Sequence, residues 1–364
     1  MNRPDRGDGN QSNKIAGRPH MESTMPSADS SSAGLTMLRM AVGCWISQAI
    51  YVAAKLGIAD LLQDGPRTGE QLAGSTQTHA DTPYRVLRAL ASIEIFSEDD
   101  EGRFRLTPLA ECLRSTAPGS LRAFAIMLGE PEHWRVWGDV LHSVKTGQPA
   151  FDHVFGMSQF QYFSTHAESA RLFNEGMTSR GGHENDSILA AYDFARFATV
   201  VDIGGGEGGL LAAIFESTEN TRGILFDLPH VVATARMKFA GTPQAERPAF
   251  GEGDFFEGVP AGADAYVLKK VIHNWDDERA LSILKRCAAA MSRDARLLLI
   301  EPVVPPGNEP SFNKLLDLQM LVWTSGGRER TEAEHTALLH TAGLRVHRVV
   351  PTGSPLHIIE ATHL

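Results

Sequence analysis

The sequence predicts an α/β protein. A parallel sheet covered on both faces is closed by a C-terminal antiparallel hairpin and preceded by an α-helical domain of winged-helix outline. Three observations carry this. From residue 199 onward, strand and helix patterns alternate, which is the signature of a parallel sheet. A glycine-rich run, Asp202 to Gly209, follows the first of these strands and opens a helix. Between residues 34 and 115, short helices with tight breaks lead into a hairpin. The chain divides at these changes of pattern into 1–33, 34–115, 116–195 and 196–364.

Residues 1–33 are rich in Ser, Gly, Asn, Asp and Pro. Such a segment buries too little apolar surface to offset its ordering entropy, and disorder is expected. Leu35 to Leu56 reads as one amphipathic helix ended by Gly57. Two more short helices follow, with a capping-box pattern at Thr68 to Gln71. Asp81-Thr82-Pro83 starts a further helix. The stretch from Ile95 to Leu106 reads as a hairpin with its tip at Asp99 to Gly102. Three helices plus a hairpin give the winged-helix outline. Residues 116–195 are mostly helical and hold much of the chain's aromatic content, including Trp134, Trp137, Phe151, Tyr162, Phe163 and Phe173. The plain reading is a helical connector packing on both neighbours; the sharper one is that a subset of these aromatics lines an apolar substrate cavity.

In the last segment "TVVDIGG", "GILFDLP", "PAFGEGDF", "ADAYVLKKV" and "ARLLLIEPVV" are strand patterns. Helices are expected near 208–217, 230–239 and 277–292. Thr331 to Glu334 is a capping-box pattern for a helix running to about Thr341, where Gly343 stops it. Two strands around Thr-Gly-Ser-Pro then close the sheet.

Composition excludes several function classes. The 364 residues carry a formal net charge of −10, a poor match for nucleic acid or an anionic membrane surface. Residues 34–120 hold eight Lys/Arg against ten Asp/Glu, and the wing tip reads Asp99-Asp100-Glu101. A nucleic-acid reader needs a basic face. Three scattered cysteines fit a reducing cytoplasm and give no zinc pattern. No apolar run is long enough to span a bilayer, and residues 1–33 lack the apolar core of a secretory signal. No metal site is expected.

The candidate chemistry gathers where the parallel strands finish, the edge at which open α/β sheets bind ligands. Gly204, Gly206 and Gly209 satisfy GxGxxG, so a dinucleotide site is one reading. Asp202, two residues before the first glycine, suits an amino-bearing ligand better than a pyrophosphate, and Glu207 repels phosphate at the helix start. Asp227 ends the second strand, where a carboxylate accepts ribose hydroxyls. Asp254 and Phe255 follow the third strand, an acid beside an aromatic suited to an adenine. His273 lies just past the fourth strand, and an imidazole there suits proton abstraction near neutral pH. Glu301 ends the fifth strand and Glu329 follows Gly326-Gly327. Two carboxylates converging on one imidazole would orient it and stabilise its charged form.

Taken together, "VVDIGGGEGG", "LFDLPHV", "GDFFEGVP", "LKKVIHNWDDE" and "GGRERTEAEHTALLHTAGL" closely resemble the small-molecule O-methyltransferases that use S-adenosylmethionine. That family includes plant caffeate and flavonoid enzymes and bacterial antibiotic-tailoring enzymes. The resemblance covers about 35–364. It implies a Rossmann-like methyltransferase sheet behind a winged-helix dimerisation domain, hence a homodimer. It implies that Asp202, Gly204, Gly206 and Gly208 hold the amino-acid end of the cofactor. Asp227 and Leu228 would take the ribose, and Asp254 and Phe255 the adenine, with Lys269 nearby. It further implies His273 as general base, Glu301 and Glu329 as its flanking carboxylates, and Phe173, Met177, Asn274, Met320 and Trp323 near a small aromatic substrate. S-adenosylhomocysteine would be the product, with no metal required. Two other readings compete: an NAD-dependent dehydrogenase, and a relative that uses the bound cofactor for hydroxylation, decarboxylation or rearrangement.

Overall fold

The structure is a computed structural model that describes residues 28–364. Most of the expected disordered tail, 1–27, lies outside the described residues. The remainder of that segment corrects the expectation, because a helix runs Ala28–Ala41. A second helix spans Gly43–Lys55. The single helix expected over 35–56 is therefore two. The break falls at Val42 and Gly43, where a β-branched residue meets glycine, and each lowers helix propensity. In the first compact unit, up to Trp45, the side chains of Leu35, Met37, Leu38, Met40 and Trp45 are exposed. No single helix among the described residues is long and apolar enough to cross a membrane.

The second unit, from Ile46, contains a small antiparallel sheet: β1 (Arg67–Thr68), β2 (Phe96–Glu98) and β3 (Arg103–Leu106), in the order β1-β3-β2. The expected hairpin is β2–β3, with Asp99 accepting from the backbone amides of Glu101 and Arg103 at the tip. The Thr68 to Gln71 capping box forms. Ile58, Leu72, Leu87, Leu90, Phe96 and Phe104 fill the small core beneath.

The connector consists of short helices, among them Pro131–Gly138, Val140–Thr146 and Ala150–Phe155, and then one 25-residue helix, Ala167–Ala191. Its aromatics do not simply bridge two neighbours. Phe151 and Tyr162 pack with Val322 and Trp323, which lie on a helix Phe312–Trp323 that sequence reading did not anticipate.

The main sheet comprises β4 (Thr199–Ile203), β5 (Arg222–Asp227), β6 (Pro248–Glu252), β7 (Ala265–Lys269), β8 (Arg296–Pro302), β9 (Leu344–Pro351) and β10 (Leu356–His363). Their order is β6-β5-β4-β7-β8-β10-β9. The first five are parallel, and β10 is antiparallel to both β8 and β9. Successive connections run outward from β4 in one direction and then restart at β7 on its other side. That reversal is a topological switch point at the carboxyl ends of β4 and β7, the position where such sheets take their ligands. The central strands are buried on both faces, as an all-parallel core requires.

Candidate functional site

The glycine turn leaves β4 at Ile203. Gly204 has φ +66° and Gly208 φ +83°, left-handed values that side chains rarely adopt. A Cβ on Gly204 would stand 2.9 Å from Val271 Cγ2, so the turn presses against the segment after β7. Gly206 donates its backbone N–H to Asp227 Oδ2 at 2.9 Å, and Leu228 donates to Oδ1 at 2.7 Å. Asp227 thus braces the turn from the end of β5 as well as facing the crevice, and burial pushes its carboxyl up. Asp202 is buried, and its Oδ2 has no hydrogen-bond partner among the described residues. Burial pushes its pKa up to about 7, opposed by Lys269 and reinforced by Asp227. An unsatisfied buried carboxyl at a ligand-binding edge calls for a cationic or hydrogen-bonding partner. Asp254 accepts from Phe256 N–H at 2.8 Å. Phe255 lies against the same Cβ position of Gly204, at 3.7 Å, and meets Phe256 and Trp275 edge-on, with centroids 5.0 and 6.2 Å away. Glu207, expected to repel phosphate, pairs with Lys238.

β7 is followed by a left-handed residue, Lys270 (φ +55°), and a single 3₁₀ turn, Ile272–Asn274, which carries His273. Nδ1 of His273 lies 2.9 Å from Glu329 Oε1, which makes Nδ1–H the donor and leaves Nε2 free to take a proton. Glu301 sits differently from its neighbour. Its Oε1 accepts from the backbone amides of Val271 and Ile272 at 3.0 and 2.8 Å, so it holds the turn while its charge acts on the ring. One donor atom from each of His273, Glu301 and Glu329 lies within 4.8 Å of the other two. Burial lowers the His273 pKa, but the two carboxylates outweigh it and the net shift is upward. Burial drives Glu301 up to about 7, against the pull of His273. Glu329 is itself fixed, its N–H bonding Asp317 Oδ1 at 2.8 Å.

Several contributors were not visible in the sequence. Arg330 is fully buried. It donates to the carbonyls of Ile272 (3.2 Å) and Trp275 (2.8 Å) and pairs with Asp277 (2.7 Å), tying both ends of the histidine turn. On the long helix, Glu184 meets Lys270 at 2.8 Å, Arg180 at 3.0 Å and Lys269 at 3.4 Å. Asn185 accepts from Lys269 Nζ at 2.5 Å. Burial lowers Lys270 to about 8 despite Glu184. Asn274, expected near the substrate, donates to the Lys270 carbonyl at 3.0 Å and so stabilises the turn.

The structure brings Phe173 and Trp323 together with ring centroids 6.4 Å apart. Met320 lies one turn before Trp323 on its helix, and Met177 one turn after Phe173 on the long helix. The His133 ring lies tilted against Trp323, with centroids 4.7 Å apart. Neither His133 ring nitrogen nor Trp323 Nε1 has a partner among the described residues. Burial lowers His133 to about 4, so the ring is neutral. An aromatic wall with unspent polar atoms suits a flat ligand bearing its own donors and acceptors.

A crevice floored by a glycine turn and an acid-braced strand end, with a histidine–carboxylate set on the adjoining strand, defines the class of α/β methyltransferase folds. An O-methyltransferase domain model matches residues 137–345, and an O-methyltransferase dimerisation domain model matches residues 38–116. The chain belongs to the O-methyltransferase family. The phenazine O-methyltransferase PhzM of Lysobacter antibioticus is 47% identical over 89% of this chain and 95% of its own length. The mitomycin biosynthesis 6-O-methyltransferase of Streptomyces lavendulae is 41% identical over 87% and 91%. A phenazine-1-carboxylate N-methyltransferase of Pseudomonas aeruginosa is 30% identical over 87% and 94%. Among solved structures, CalO1, a methyltransferase in calicheamicin biosynthesis in its SAH-bound form, has a TM-score of 0.83 at 38% identity over 92% of this chain and 99% of its own. The neocarzinostatin enzyme NcsB1, in complex with S-adenosylmethionine and 2-hydroxy-5-methyl naphthoic acid, scores 0.73 at 35% identity over 87% and 96%.

Proposed function

We propose that this protein transfers the methyl group of S-adenosylmethionine to a hydroxyl of a small aromatic natural product, with His273 as general base. The observation that carries the reading is the pairing of an unsatisfied buried Asp202 at the glycine turn with a buried His273 whose Nδ1 is committed to Glu329. Asp202 and the turn fit the amino-acid end of the cofactor, Asp227 and Leu228 its ribose, and Asp254 and Phe255 its adenine. Lys269 braces the floor through Asn185. The cofactor supplies an electrophilic methyl on a sulfonium. With that group bound, His273 Nε2 would take the proton of the acceptor's phenol or enol hydroxyl, so that its oxygen could receive the methyl and S-adenosylhomocysteine would leave. Glu329 and Glu301 stabilise the imidazolium so formed, and the aromatic wall excludes water.

Phe173, Met177, Met320 and Trp323, together with His133, support an acceptor with fused rings and heteroatoms. The second reading, N-methylation, is favoured by the N-methylating relative from Pseudomonas aeruginosa. Mass spectrometry of the product from paired phenol and aryl-amine acceptors separates the two. The dimerisation domain and the exposed apolar side chains of the first unit support a homodimer.

The test is methyl transfer from labelled cofactor to a panel of phenols and hydroxyquinones. His273→Ala is expected to lower turnover roughly 10²- to 10⁴-fold while S-adenosylhomocysteine binds as before. Unchanged turnover would remove the base assignment.

A further inference from the structure

Asp139, His142 and His153 form a second cluster that the methyl-transfer reading does not use. Asp139 and His142 stand three residues apart at the start of the helix Val140–Thr146, on one face of a single turn. His153 comes from the next helix, Ala150–Phe155, beyond the link at Gly147. His153 Nδ1 lies 2.6 Å from Asp139 Oδ2. The imidazoles of His142 and His153 stack with centroids 3.9 Å apart and planes within 3°. One donor atom from each of the three residues lies within 4.8 Å of the other two.

Two imidazoles and a carboxylate offer an N,N,O donor set at the surface; because the two rings lie in parallel planes, one of them must turn for both nitrogens to face a common ion. The set suits a late first-row divalent ion of borderline softness, with water completing its shell. Calcium and magnesium need more oxygen ligands than it offers. The surroundings are built rather than loose. Phe151, on the same helix as His153, is fully buried with its ring 4.9 Å from that of Trp323. Asp152 accepts from Ser325 Oγ at 3.1 Å. The helix that supplies one imidazole is therefore anchored on its other face to the aromatic wall.

We propose that Asp139, His142 and His153 bind a zinc-class divalent cation. The bound ion clasps the helix Val140–Thr146 to the helix Ala150–Phe155 and steadies the wall that carries Phe151. This is a structural site, separate from the histidine–carboxylate set, and it supplies no step of the reaction.

The experiment uses the full chain stripped with a chelator and dialysed. Zinc is titrated by calorimetry and cobalt by visible absorption, in the parent, His142→Ala, His153→Ala and Glu329→Gln. The expected result is one ion per chain, an affinity lowered at least about tenfold by each histidine variant, and no effect of Glu329→Gln. Millimolar magnesium leaves the titration unchanged. Circular dichroism matching the parent shows that the histidine variants are folded. Failure of the parent to take up zinc overturns the proposal. So does parental affinity in both histidine variants, and so does loss of the ion in Glu329→Gln, which would place the metal at the other cluster.

Discussion

Glu329→Gln isolates the electrostatic part of the proposed proton transfer. The parent pair is 2.9 Å long and buried at both ends, with the Glu329 side chain wholly inaccessible. Glutamine keeps the size and a carbonyl acceptor for Nδ1–H, so packing and tautomer persist while the charge is lost. A hydrogen bond to a charged partner contributes roughly 1.5–3 kcal/mol, against about 1 for a neutral one. The difference at a dry site is on the order of 2 kcal/mol, and it is felt only once the ring carries its proton. That corresponds to roughly a 30-fold fall in kcat. The sign of the pH effect follows from the balance on His273. Burial lowers its pKa and the two carboxylates raise it, so removing one lets burial count for more and the pKa falls. The acid limb of kcat/KM therefore moves to lower pH. The raised pKa also stabilises the parent fold below the unfolded pKa of histidine, and that contribution fades as pH rises through the folded pKa. The variant is accordingly less stable than the parent in acid, and the gap narrows in alkali. The assay is single-turnover methyl transfer across pH, with melting curves at matching pH. An acid limb that stays in place, or a kcat within threefold of the parent, would refute the reasoning.

Three further outcomes are expected. Asp202, raised to about 7 by burial, should make S-adenosylhomocysteine affinity rise between pH 6 and 8 as the carboxylate forms. Asp202→Asn should flatten that dependence in calorimetry, and should also remove the loss of ligand-free stability that the parent suffers as pH rises from the unfolded carboxyl range toward 7. Arg330→Met strands the Ile272 and Trp275 carbonyls, at roughly 1–3 kcal/mol for each buried group left unpaired. Its melting temperature should fall by several degrees and its kcat more than its cofactor affinity, whereas Asp277→Asn, on an exposed partner, should cost under about 1 kcal/mol. The parent should run as a dimer in light scattering, and Met40→Glu with Trp45→Glu should shift it toward monomer; a parent that is already monomeric would contradict the assembly.

The sheet was legible because its strands are apolar runs broken by glycine and acid, and β4 to β10 all fall on them. The capping box at Thr331 was equally plain, since its two partners are three residues apart. Where the signal depended on distant partners it failed. β1 is two residues long and exists only by pairing with β3. The helix Phe312–Trp323 has apolar residues on nearly every face, because one side packs on connector aromatics far away in sequence, and this blurs its period. Glu184, Arg180 and Asn185 look like the solvated face of a long helix until β7 places two lysines against them. Arg330 reads as a surface cation in a polar run, although its donors close the histidine turn from behind. The places of His273, Asp202, Asp227 and Glu329 in the fold could be read because each stands at or near a strand end or a glycine turn, where topology alone narrows the possibilities.

The helix Ala167–Ala191 carries Phe173 toward the aromatic wall and, twelve residues on, Asn185 against Lys269 and the glycine turn. At 1.5 Å per residue the two are about 18 Å apart along one axis. One rod thus sets the register between the proposed acceptor wall and the proposed cofactor turn. A single inserted or deleted residue between positions 173 and 185 would turn one end by about 100° relative to the other, so the spacing between these two residues is fixed by the helix itself.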